Sequence, residues 1–99
     1  MMKSPAETQS VQPLELRLKR LKYRAWHRGF READLILGPF ADAHVEAMTL
    51  DQLSDFERLL TAPDQDLYDW ILEVKPADPY YDGAALSALV SFVQRMRAP

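Results

Sequence analysis

Cysteine is absent from the 99 residues, which excludes a disulfide, a thiol nucleophile and a thiolate metal site. No run of 18 apolar residues occurs, so no membrane-spanning helix is predicted. The opening residues lack the apolar core of a secretory signal. They are also poor in arginine, which argues against a mitochondrial transit peptide. A cytoplasmic protein is the expectation. No stretch sustains the alternation of a half-buried strand, so no sheet is predicted. His27 and His44 have no H-x-x-x-H or H-E-x-x-H partner, and no metal centre is expected. A glycine-rich phosphate loop, a GxGxxG turn and a Ser-His-Asp order are all missing. We therefore expect neither a catalytic group nor a tightly bound cofactor in this chain. Glycine itself is scarce, with three copies.

What is present is helical. The apolar content of 47% and the length suit one small domain with a modest core. Residues 1–13 are polar, carry two prolines and read as a disordered tail. From Leu14 the apolar residues Leu14, Leu18, Leu21 and Ala25 recur at helical spacing, with Trp26 beside them. Gly29 is placed to end this helix. A second helix is expected from about Phe30, kinked at Gly38-Pro39 and continuing to about Met48. Thr49-Leu50-Asp51-Gln52 has the form of a capping box for a third helix to about Leu60. A fourth begins near Asp64 with Leu67, Trp70, Ile71 and Val74 inward. Asp82 is a plausible N-cap for a fifth, whose inner face is Leu86, Leu89, Val90, Val93 and Met96. The predicted fold is all-α, a small five-helix bundle forming a single domain over residues 14–97.

Charge is unevenly spread. Residues 14–31 carry Arg17, Lys19, Arg20, Lys22, Arg24, Arg28 and Arg31 against Glu15 alone, a balance of +6. Residues 32–82 carry thirteen acids against Arg58 and Lys75, a balance of −11. Such polarity can steer a protein partner with opposite patches. The acidic body would repel phosphate, so nucleic acid is not the expected partner.

The basic element and the second helix meet at Arg24-Ala25-Trp26-His27-Arg28-Gly29-Phe30-Arg31-Glu32-Ala33-Asp34. Glycine suits a left-handed residue at a helix end. Glu32 falls in the first turn of the second helix, where the helix dipole favours a carboxylate. Arg24 and Arg28 offer flat, permanently charged forks suited to carboxylates or phosphates. Glu32 is placed either to orient Arg28 or to accept a donor from a partner. Glu32 and Asp34, two apart on a helix, point away from each other and do not form a carboxylate pair. Asp64-x-Asp66-Leu67-x-x-Trp70 reads as an acidic helix start followed by a tryptophan that is either core or interface.

Arg28-Gly29-x-x-Glu32 followed by Asp34 resembles the RGxxE motif of the succinate dehydrogenase assembly factors, which promote covalent attachment of FAD to the flavoprotein subunit. Gly38-Pro39-Phe40, Leu59-Leu60, Pro63-Asp64-x-Asp66-Leu67-x-x-Trp70 and Lys75-Pro76 resemble further segments of that family. The likeness spans about residues 20–76. His27 departs from it, standing where a basic residue is common, and the tail is longer than a minimal member needs. The resemblance implies a helical, chaperone-like protein that binds the FAD-loaded flavoprotein subunit of succinate dehydrogenase, and of the related fumarate reductase. The client would carry the FAD and supply the histidine that becomes linked to it. Arg28, Gly29 and Glu32 would form the contact core, with Arg24, Arg31 and Asp34 flanking it. A monomer is expected when free. The alternative is a small helical adaptor for another client, with no role in flavinylation.

Overall fold

The structure is a computed structural model that describes residues 5–98. Five α-helices follow in order: α1 Pro5–Trp26, α2 Arg31–His44, α3 Leu50–Leu59, α4 Asp64–Ile71 and α5 Ala84–Arg97. A 3-10 turn, Val45–Ala47, follows α2. No strand occurs among the described residues, in agreement with the all-α reading. The expected tail, residues 1–13, lies largely outside what is described. Residues 1–4 are not covered, and for residues 5–12 only the helical backbone is.

α1 and α2 form an antiparallel hairpin. Leu21 and Ala25 are buried and Leu18 packs beside them, which is one stripe of a helix. Leu14, expected on that stripe, is instead exposed. α2 also ends sooner than expected. It passes through Pro39 and stops at His44, and the chain tightens into the 3-10 turn before Met48 turns extended. Ala33, Leu37, Phe40 and Ala41 are its buried face. At Gly38 an added Cβ would stand 2.2–2.5 Å from the Trp26 ring. The glycine is therefore the seat of the indole, whose Nε1 donates to Asp42 Oδ2 at 3.1 Å.

α3 starts as the capping box predicts. Gln52 N–H donates to Thr49 Oγ1 and Thr49 N–H donates to Gln52 Oε1. Leu53, Phe56 and Leu59 point inward. α4 contributes Leu67, Trp70 and Ile71. Trp70 is a core residue, packed on Tyr81 with ring centroids 5.4 Å apart. Val74 is exposed, because α4 stops at Ile71 and the chain reverses through Glu73 at φ +62°. Met96 is exposed too, in the last turn of α5. Asp82 does not cap α5. The N-cap is Gly83, and the carboxylate that serves the helix start comes from α3, where Asp55 Oδ2 accepts from Ala85 N–H at 2.7 Å. A Cβ on Gly83 would meet Asp55 Oδ1 at 2.7 Å, so a larger residue there would push the cap away. Phe40 sits at the centre of the core, edge-on to Phe56 and Phe92 at 5.5 Å.

Candidate functional site

The site is the corner between α1 and α2. α1 stops at Trp26, and Gly29 takes φ +85°. An L-residue carrying a Cβ is strained in that region by about 1–2 kcal/mol. No atom lies within 4 Å of the place its Cβ would occupy. The glycine is thus required by the backbone and leaves open space above it.

Two side chains hold the corner. The Asp34 carboxylate reaches back from the first turns of α2 and accepts from Arg28 N–H at 3.0 Å. The Arg28 side chain runs the other way, inward. Its Nε donates to Asp64 Oδ1, its Nη1 to the Leu60 carbonyl and its Nη2 to the Ala62 carbonyl, each at 2.7 Å. Only 9% of the side chain is exposed. Leu60 closes α3 and Ala62 lies in the break after it. These are carbonyls at a helix C-terminus, which lack helical partners and favour a cation. Asp64 opens α4, where an acid is favoured. One guanidinium therefore bolts the α1–α2 corner to the α3–α4 corner. Bonds to a charged donor of this kind contribute about 1.5–3 kcal/mol each before overlap is discounted. Phe30 adds an apolar contact to the same junction, 5.0 Å from the Tyr68 ring of α4.

This corrects one expectation. The fork of Arg28 is turned into its own chain, and it does not project towards solvent as Arg24 and Arg28 were expected to do together. Glu32 is exposed and does not orient Arg28; Asp34 and Asp64 do. The six residues named from the sequence divide accordingly. Arg28 and Asp34 are bonded within the corner. Gly29, Arg31 and Glu32 are exposed, and Arg24 is half-buried. Among the described residues, Arg24, Arg31 and Glu32 make no side-chain hydrogen bond or ion pair.

Arg24 lines a shallow cleft of about 260 Å³ with Tyr23, His27, Arg28 and Asp64. Tyr23 is 65% exposed and lies over the His27 ring with centroids 4.3 Å apart. Tyr23 was not singled out from the sequence, although its i, i+4 spacing to His27 is the signal that finds it. Asp64 was read as an acid at the start of α4. Nothing local reveals a partner 36 residues away. Among the described residues no three His, Asp or Glu side chains converge as metal ligands.

A family model described as "Flavinator of succinate dehydrogenase" matches residues 19–96, which include the whole corner, Asp64 and Trp70. The chain is similar to the FAD assembly factor SdhE of Acetobacter pasteurianus, 45% identical over 58 residues, covering 59% of this chain and 53% of that protein. It is similar over a longer stretch to the mitochondrial succinate dehydrogenase assembly factor 2-A of Drosophila sechellia, 34% identical over 96 residues, covering 89% of this chain and 59% of that protein. A mitochondrial assembly factor 2 of Dictyostelium discoideum is 40% identical over 63 residues, covering 64% of this chain and 45% of that one. The chain spans about half the length of the curated relatives it matches. With most of its helical body matched, the chain belongs to the family of flavinators of succinate dehydrogenase.

Proposed function

We propose that this chain is an assembly factor that binds the flavoprotein subunit of succinate dehydrogenase and promotes covalent attachment of FAD to it. The observation that carries the reading is the corner itself. A left-handed glycine with open space above it is braced by Arg28 and Asp34, in a chain of this family. Gly29 lets a client backbone approach closely. Arg31 and Glu32 flank it with exposed charges of opposite sign, and Arg24 stands in the adjoining cleft. Arg28 and Asp34 set the shape that these groups present.

On this reading the factor is not an enzyme. FAD and the residue that becomes linked to it both belong to the client. The factor contributes orientation, and holding reacting groups in place is worth several kcal/mol of barrier. A rigid corner does this better than a mobile one, because less ordering is left to be done on binding. We extend the client range to the related fumarate reductase subunit and take the free factor to be a monomer. The cytoplasm is the proposed compartment. Some relatives are named as mitochondrial, so a compartment holding the client is the requirement.

The test is flavin fluorescence of the denatured flavoprotein subunit in a gel, after co-expression with no factor, wild type, Gly29→Arg or Gly29→Asn. Asparagine tolerates the left-handed backbone, so it adds a side chain to the open space at little cost to the fold. Wild type should give strong fluorescence. Both variants, shown by circular dichroism to be helical, should give about a tenth of it or less. Equal fluorescence in all four would overturn the proposal.

A further inference from the structure

The six cations of residues 14–28 do not share one fate. Arg17 is bonded to Glu57 at 2.7 and 2.8 Å and to Ser54 at 2.9 Å. Lys22 pairs with Glu46 at 3.0 Å, and Arg28 with Asp64. Arg17 and Lys22 tie α1 to the acidic body, and Arg28 ties the corner to it. Lys19, Arg20 and Arg24 form no ion pair among the described residues. All three lie away from the buried stripe of Leu21 and Ala25. On the same outward side stand Leu16, Tyr23 and His27, each exposed. Leu16 and Tyr23 are seven apart and so share one face of α1, and the His27 ring, just past the helix end, lies 4.3 Å from that of Tyr23. The face runs about 16 Å, at 1.5 Å per residue, and leads directly to Gly29.

We propose that the outer face of α1 is a second part of the docking surface, which takes an acidic face of the flavoprotein client. This rests on the function proposed above. The body carries its own acids and spends three of them on Arg17, Lys22 and Arg28. What is left on α1 is a set of cations that form no ion pair among the described residues, around an exposed tyrosine. Tyrosine and arginine are the residues enriched where interfaces hold most of their energy, and free cations beside them speed encounter with an acidic patch. A lipid surface fits less well. The apolar stripe of α1 is already buried against α2, and a helix lying in a membrane needs that stripe.

The experiment measures association and dissociation rates of the factor with the FAD-loaded flavoprotein subunit at low and high salt. Lys19→Glu/Arg20→Glu is compared with Arg95→Glu/Arg97→Glu, an equal charge change at the exposed end of α5. The α1 pair should slow association about tenfold at low salt and flatten its salt dependence, while the α5 pair changes it less than twofold. Tyr23→Ala should speed dissociation about tenfold without altering association. Circular dichroism confirms that each variant is helical. Equal effects of the two charge pairs would overturn the inference while leaving the corner intact, since Gly29→Arg would still lose flavin attachment. So would binding of wild type to phosphatidylserine vesicles that is lost in the α1 pair while client association is unchanged. No association of wild type with the subunit at any salt would remove the proposed function and this inference together.

Discussion

Glu73 is the one described residue other than glycine that holds a positive φ, +62°. It ends α4 in a Schellman arrangement. Its own N–H donates to the Trp70 carbonyl at 3.1 Å, and the N–H of Val74 donates to the Asp69 carbonyl at 2.8 Å. That position is normally glycine. A Cβ there costs about 1–2 kcal/mol, and the exposed bond from Gln94 to the Glu73 carboxylate at 3.1 Å returns only part of it. Glu73→Gly should therefore stabilise the protein by about 1 kcal/mol, raising Tm by roughly 4–8 °C in a domain of this size. A calorimetric scan reads the shift, and an unchanged or lower Tm would show that the Gln94 contact outweighs the strain. Gly29 occupies the same region of backbone space with nothing of its own chain above it.

Helix pairing decides a second case against helix propensity. Gly38 lies inside α2, where replacing glycine by alanine ordinarily gains about 0.5–1 kcal/mol. The new methyl would stand 2.2 Å from the Trp26 ring, and overpacking of this kind costs about 1–3 kcal/mol. The indole is also held by Asp42. Gly38→Ala should destabilise by about 1–2 kcal/mol in urea unfolding. In a Trp26→Leu background the same change should become neutral or stabilising. Failure of that reversal would locate the strain elsewhere. Propensity and spacing were enough to find all five helices, the Thr49 cap and the left-handed Gly29, because these follow from residues a few positions apart. They misplaced Leu14, Val74 and Met96; the last two keep helical phase but lie at or beyond the ends of the packed elements. They also assigned the start of α5 to Asp82. The acid that serves it, Asp55, lies 30 residues earlier than Ala85, and no local pattern contains that fact. Arg28 shows the same limit at the site: its motif was legible, and the direction of its side chain was not.

The two corners act as one body because Arg28 joins them. Arg28→Lys keeps the charge and loses the fork, so a single ammonium cannot reach Asp64 and both carbonyls at once. The variant should lose about 2 kcal/mol of stability. It should also exchange amide hydrogens faster both at residues 28–34 and at residues 60–64, since opening either corner releases the other. Faster exchange confined to residues 28–34 would mean the bolt is local. The cap that α3 lends to α5 sets the order in which the molecule assembles. A helix of 14 residues is marginal alone in water, and the N–H of Ala85 finds its carboxylate only after α3 stands in place. α5 thus waits on a helix that precedes it in the chain. Tyr23 to Asp64 all precede it, so the corner's own bonds can close while α5 is still leaving the ribosome.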